Sequence, residues 1–502
     1  MKVDKQENLI KIGSFCLVLI PQGYRIVGYE DINETNLVIP AVLDGKAIVE
    51  IGESAFSNCV QLTRVVIPNT VTKIAGVAFE KCVNLSTVKL SSGLTSIGFW
   101  AFFDCENLTE ITIPNRVKMI DIGAFRGCCR LERIIVEEGN EAYQSIDGDL
   151  YTKDGKILLQ YAPAKKATSF TVPNGVTTIV SGAFCKANYL ENLEIPNGLT
   201  TIDSQAFLFC TSLKNISMPD SIESVRRAFT NCKKVRYTIK NGLKYLGNQS
   251  NPYAYLAGVT TKKVQRAEIE KGCKLIDEYA FANCKKLQSV VIPGSVKRIG
   301  HSAFSDCVAL TDLLIGNGVE ELGEAAFQVC TSLQNVVIPS GVKIIRQRVF
   351  EACSGLQSVT IPDSVTSIGW DVFWGCEKLK YTEKNGLKYL GNAENPYLFF
   401  NGVTTTELVA ARIENGCKII GDYAFENCKN LTSVFIPKSV KNINMNAFNR
   451  CGEVMIYCEA NGQGDWDEYW NEDNRPVHYY SERQPTKSGN YWRYVNGEIV
   501  VW

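Results

Sequence analysis

Apolar residues along this chain recur on two scales. Within a segment such as Leu62-x-x-Val65-x-Ile67-Pro68-x-x-Val71-x-x-Ile74-x-x-x-Ala78-Phe79-x-x-Cys82, the repeating apolar places at Val65 and Ile67 alternate with variable ones. That alternation predicts a short strand with both side chains on one face. Pro68 carries no N–H and ends the ladder, and Gly or Asn nearby permits a turn. Val71 and Ile74 then return toward the interior, followed by an Ala-Phe knob.

On the larger scale the whole segment repeats. Phenylalanine recurs at 56, 79, 102 and 125; at 184, 207 and 229; at 281, 304, 327, 350 and 373; and at 425 and 448, with a step of 23 and one step of 22. Alanine precedes it in all but two copies, where Val349 and Val372 stand instead. Cysteine follows three places later in all but one, where Ala187 stands and Cys185 has moved. A single coil cannot bury its five or six apolar groups. Stacked coils bury all of them, with equivalent positions aligned in files along a solenoid.

The repeat L-x-x-V-x-I-P-x-x-V-x-x-I-x-x-x-A-F-x-x-C resembles that of the BspA-type leucine-rich-repeat family, over roughly residues 20 to 458. The resemblance implies a leucine-rich-repeat solenoid with a parallel β-sheet on the concave side. It also implies a surface or secreted adhesion protein, a setting that periodicity itself does not show. The Asn ladder of other leucine-rich repeats is not matched, because that place holds Thr70, Arg116 or Ser295.

Three interruptions break the step, near 137–166, 240–263 and 384–407. The first contains Asp147-Gly148 and Asp154-Gly155 turns in an alternating stretch, a β-hairpin signal. The other two are copies: Asn241-Gly-Leu-Lys-Tyr-Leu-Gly-Asn248 matches Asn385-Gly-Leu-Lys-Tyr-Leu-Gly-Asn392. The pattern therefore predicts a cap over 1–50, a solenoid over 51–458 carrying three projecting hairpins, and a β-rich cap over 459–502. Open solenoid ends would expose strand edges, so both ends need covering. Phe15–Ile20, after Lys2, Lys5 and Lys11, has the outline of a leader, but Asp4 and Glu7 dilute its basic region. It reads better as a strand paired with Tyr24–Tyr29. At the far end, Tyr491–Val495, the turn Asn496-Gly497 and Glu498–Trp502 read as a hairpin in an aromatic tail.

Charge removes several function classes. Lys plus Arg equals Asp plus Glu at 53 each, with no block of like charge, which argues against a nucleic-acid partner. No run of 18 apolar residues is present to span a membrane. Only His301 and His478 exist, and no phosphate loop, His-Glu-x-x-His or nucleophile elbow accompanies them. No catalytic, cofactor or metal residue is therefore assigned, and the chain reads as a non-enzyme needing no cofactor. The nineteen cysteines contain no Cys-x-x-Cys pair, and a ladder aims its side chains in parallel, which suits buried thiols better than disulfides or zinc.

What remains is a binding scaffold whose partner is a protein, with a glycan as the alternative through the aromatic tail. The outward places of three successive strands hold Val291, Leu314 and Val337, an expected apolar stripe, beside Ser289, Asp312 and Asn335 as a polar rim. The duplicated insertions offer Tyr253 and Tyr255, and Tyr397 and Phe399, as aromatic tips that either meet a ligand or pack back on the solenoid. The tail likewise reads either as a sugar-stacking module or as the C-terminal cap.

Overall fold

A computed structural model describes residues 9–460, 466–483, 485, 490–496 and 498–502. Lys2, Asp4, Lys5 and Glu7 of the leader-like segment, and Gly497 of the last turn, lie outside the described residues. Among those described, all regular structure is β. The chain divides into two compact units, residues 1–237 with 246–254, and residues 238–245 with 255–502.

In the first unit the alternating segments form the expected strands. Asn36–Val38, Arg64–Val66, Thr87–Lys89, Glu110–Ile113 and Arg133–Val136 pair side by side in one parallel sheet. The register advances by one coil at each step, so Val65 faces Val88. Val65 and Ile67 are buried while Arg64 is exposed, as the alternation requires.

A second ladder was not evident in the sequence. The isoleucine that returns to the core sits in a two-residue strand: Lys73–Ile74 pairs with Ser96–Ile97, which pairs with Met119–Ile120. Each coil thus contributes to two parallel sheets. The second unit repeats the plan, from Leu275–Ile276 to Ser367–Ile368 on the short side and with Ser289–Ile292 beside Asp312–Ile315 on the long side.

Phenylalanine fills the third corner. Phe56 and Phe79 stack at 5.0 Å and 2°, and Phe79 and Phe102 at 5.2 Å and 1°. In the second unit Phe304 and Phe327 stack at 5.1 Å and 6°. The corner is turned by residues two places before and two after each ring, both in the left-handed region. Ser54 and Asn58 flank Phe56, Val77 and Lys81 flank Phe79, and the same holds around every ring of the series. Only some are glycine, although L side chains resist this conformation.

The insertions are antiparallel, as their turns predict, but they do not simply project. Tyr143–Ile146, Asp149–Thr152 and Ile157–Gln160 form a meander whose last strand pairs in parallel with Thr178–Ile179. Thr382–Lys384, Leu387–Leu390 and Phe399–Val403 do the same against Ile419–Ile420. Tyr255–Val259 of the other copy pairs in parallel with Leu275–Ile276. Each final strand is a rung of the short ladder. Tyr161 even takes the place of phenylalanine: its ring lies 4.7 Å from that of Phe184, and its N–H donates to the Ala183 carbonyl at 2.9 Å.

At the chain's start, Phe15–Ile20 pairs antiparallel with Gly23–Tyr29, the arrangement read from the sequence. At its end, Met455–Cys458, Val477–Tyr480 and Tyr491–Val495 extend the long sheet in parallel, and Glu498–Val501 closes it antiparallel.

Candidate partner-binding face

The long strands present their outward places to solvent, and the second unit gathers the expected stripe there. Val291 lies directly beside Leu314 in register, and Ser289 beside Asp312. Leu314 is 61% exposed and Val337 is 68% exposed, unusual for apolar side chains in regular strands. Asp312 and Asn335 are exposed and Ser289 is half-buried. Val337 belongs to a separate two-stranded sheet, where it pairs with Thr360, so the hydrogen-bonded ladder divides between Leu314 and Val337.

Val291 and Leu314 lie in a groove of about 650 Å³. The sequence reading missed its other wall. Arg266–Glu268 pairs with Ser289–Val291, so Glu268 precedes Val291 in the outward row, and Lys271 also lines the groove. The signal was available: Ile269 marks where the repeat resumes after its insertion, and Glu268 stands one place before it.

The aromatic tips fall elsewhere. Tyr255 and Phe399 are buried, at 1% and 2% exposure, because they begin the strands that join the short ladder. A ring inside the core offers no surface to a partner, so the tip reading does not hold for these two. Tyr253 and Tyr397 are half-buried. The Tyr397 ring meets that of Tyr389 edge-on at 5.3 Å, with the Lys384 ammonium 5.2 Å from its centre. Packing back on the solenoid accounts for both insertion copies.

Much of the tail is also spent on packing. Trp492 is wholly buried, meets the Phe435 ring edge-on at 5.3 Å, and donates from its indole N–H to the Cys458 carbonyl at 3.0 Å. Phe435 occupies an outward place, yet this cover leaves it only 6% exposed. Tyr480 and Tyr494 remain at the surface in a cleft of about 1000 Å³ with Asn415, Lys438, Ser439, Lys441 and Glu459.

All nineteen cysteines are free thiols. Burial raises most of them, Cys307 to about 12 and Cys428 to about 11, while the hydrogen bond with Cys210 holds Cys232 below the ordinary thiol range. A thiol so raised is protonated at neutral pH and a poor nucleophile. His301 sits beside Glu324, and the buried His478 is pushed below the usual imidazole range by desolvation. Among the described residues no group of three or more His, Cys, Asp or Glu side chains is placed to hold a metal ion. Among the described residues no helix is long and apolar enough to cross a membrane.

Sequence comparison settles the family. The BspA type Leucine rich repeat region matches in six copies, over residues 29–150, 161–257, 259–380 and 396–461. The chain belongs to the BspA-type leucine-rich-repeat family. Among curated proteins none matches it. Several solved leucine-rich-repeat proteins do. A leucine-rich cell surface protein of Faecalibacterium prausnitzii is 27% identical, with 76% of this chain and 96% of that one covered and a TM-score of 0.33. A leucine-rich repeat protein of Eubacterium ventriosum is 23% identical, covering 74% and 95%, with a TM-score of 0.36. One from Bacteroides ovatus is 22% identical, covering 94% and 99%, with a TM-score of 0.33. For this BspA-type protein the match is interrupted where the repeat itself breaks, most widely over 381–395 at the third insertion.

Proposed function

We propose that this BspA-type chain is a non-catalytic docking scaffold that binds a protein partner on the long-strand face of its second unit, in an adhesive setting at a cell surface. The observation that carries the reading is the registered pair Val291 and Leu314, exposed in a groove lined also by Glu268 and Lys271, with Asp312 two places before Leu314 on the same strand. A contiguous exposed apolar patch with a polar rim is the usual form of a protein-binding surface. Family membership supports the adhesive setting. The occupant this groove suits is an apolar side chain of the partner, flanked by positive charge that meets Glu268 and Asp312.

The test is Leu314→Arg in the full chain, with binding measured against partners captured from host and microbial extracts. The arginine should weaken binding of a specific partner by about tenfold or more, as loss of an interface anchor does. The melting temperature should stay unchanged, because Leu314 makes no core. Unfolding of the variant, or unchanged binding, contradicts the reading.

A second reading, a glycan on the tail, is supported by the Tyr480 and Tyr494 rings, 6.3 Å apart beside two lysines. Tyr494→Ala on a glycan array tests it, and unchanged array binding removes it.

A further inference from the structure

The insertion at 384–407 leaves a break in the corner stack. In an uninterrupted coil the N–H groups of the phenylalanine and of the residue two places after it donate to carbonyls of the next coil, and in several coils that of the residue two places before it does so too. Arg348 donates to Trp370 at 3.0 Å, Phe350 to Val372 at 3.1 Å, and Ala352 to Trp374 at 2.7 Å. One coil later the insertion intervenes, and the next phenylalanine corner does not come until Phe425. Of the three equivalent N–H groups, that of Asp371 donates to a carboxylate oxygen of Asp422 at 3.1 Å. Those of Phe373 and Gly375 have no partner among the described residues. On the far side the carbonyl of Ala424, which would receive from a preceding corner, accepts no hydrogen bond among the described residues.

The result is a notch of about 510 Å³, one corner deep. Phe373 and Phe399 form its apolar floor, their rings 6.2 Å apart. Trp374, 65% exposed, and Tyr423 stand at its mouth. Asp422, Glu426 and Arg450 supply charged walls. Asn449 donates to Glu426 at 3.1 Å and so holds that carboxylate in place. Burial raises Asp422 above the ordinary carboxylate range, against the hydrogen bond from the Asp371 N–H, which acts to lower it.

The equivalent break in the first unit, before Phe184, is closed by the protein's own side chains. Lys186 reaches Asp104 at 2.9 Å and Glu106 at 2.8 Å, and Arg126 donates to Gln205 at 2.6 Å. In the second unit the two sides are joined only in part, by the Asp371 N–H to Asp422 and by the Asn444 amide to the Ile368 carbonyl at 2.8 Å, and the N–H groups of Phe373 and Gly375 stay unpaired among the described residues.

We propose that this notch is a binding site for a neutral saccharide. Its walls combine unpaired backbone donors with carboxylate and carbonyl acceptors, which a ligand rich in hydroxyl groups satisfies in both directions. An anion would meet Asp422 and Glu426, and a simple cation would meet Arg450 and the N–H groups. A peptide strand would need a sheet edge, which this corner does not offer. The exposed indole of Trp374 gives a flat apolar face for a pyranose ring, beside polar groups that fix its orientation.

The experiment uses the full chain on an array of neutral and acidic oligosaccharides, followed by calorimetry with the strongest neutral binder. The wild type should bind a neutral oligosaccharide. Trp374→Ala should lower its affinity by about tenfold or more at an unchanged melting temperature, and Asp422→Asn should weaken it too. Tyr494→Ala, on the tail, and Leu314→Arg, on the strand face, should leave it unchanged, so failure here is separable from failure of the docking reading. No neutral saccharide bound, binding of acidic glycans alone, or full affinity in Trp374→Ala would each overturn the assignment.

Discussion

The thiol of Cys330 donates to the backbone carbonyl of Phe304, one coil earlier, at 3.3 Å. The same bond links Cys82 to Phe56, Cys105 to Phe79, Cys353 to Phe327 and Cys376 to Phe350, all within 3.0–3.2 Å. Cysteine recurs because this place needs a side chain small enough for the core yet able to donate to a carbonyl at the turned corner. Alanine fits but removes one of the two bonds that the Phe304 carbonyl accepts, the other coming from the Cys307 N–H at 3.3 Å, and valine neither fits nor donates. Cys330→Ala should lower stability by about 1–2 kcal/mol, and Cys330→Val by more. Chemical denaturation of the two variants against wild type checks the order.

The same burial governs reactivity. Seventeen of the nineteen thiols are buried, and Cys129 and Cys451 are only partly so. Alkylation of the native chain at pH 8 should therefore label Cys129 and Cys451 first and reach the rest only on unfolding, as mass spectrometry of the digest would report. Rapid labelling of Cys105 or Cys330 in the folded chain would contradict the ladder.

Left-handed corners give a stabilising prediction. Val77 and Val329 hold φ values of 50° and 59°, where a β-branched side chain is strained. Other coils put Asn58, Asn231, Asn283 and Asn427 at corner places of the same kind. Val77→Asn and Val329→Asn should each raise stability by about 1 kcal/mol, seen as a higher melting temperature.

A buried carboxylate sets a pH dependence in the first unit. Asp149 is wholly buried, faces Lys165 at 2.7 Å and the Ala162 N–H at 2.8 Å, and lies near Asp147, Tyr151 and Tyr161. Desolvation outweighs Lys165 and raises it to about 6. Its folded value is above its unfolded one, so its stabilising contribution is full below about pH 4 and is lost as pH rises through 6. Relative to Asp149→Asn, wild type should gain stability on the order of 2–3 kcal/mol between pH 7 and pH 4. A flat difference across that window would show that Lys165 holds the carboxylate ionised instead.

The parts of this fold written in one coil were legible in the sequence. The phenylalanine file and the strand at Val65 and Ile67 follow from spacing, because each side chain's neighbour is its own copy. The short ladder at Ile74 was not, since two residues carry no alternation to read. The left-handed corners had a signal in the recurrent Asn, Asp and Gly beside phenylalanine, masked by Val77, Trp100 and Phe209 at equivalent places. Val291 and Leu314 were legible as a stripe, while the divided ladder at Val337 was not. The insertion aromatics misled because Tyr255 and Phe399 look like loop tips until the strand they start is seen to continue the stack. The notch at Trp374 and Asp422 had only the broken step between Phe373 and Phe425 as its signal, which marks a missing corner but names none of the residues that line it.

Coil-on-coil register is the claim on which the groove and the notch both depend, and distances between spin labels measure it. Arg64, Thr87, Glu110 and Arg133 occupy one place in successive strands of the first unit. Labels pairing Arg64 with Glu110, then Arg64 with Arg133, should report backbone separations near 10 and 15 Å, each added coil contributing about 4.8 Å. Separations that fail to grow by one strand spacing per 23 residues would contradict the stacked solenoid.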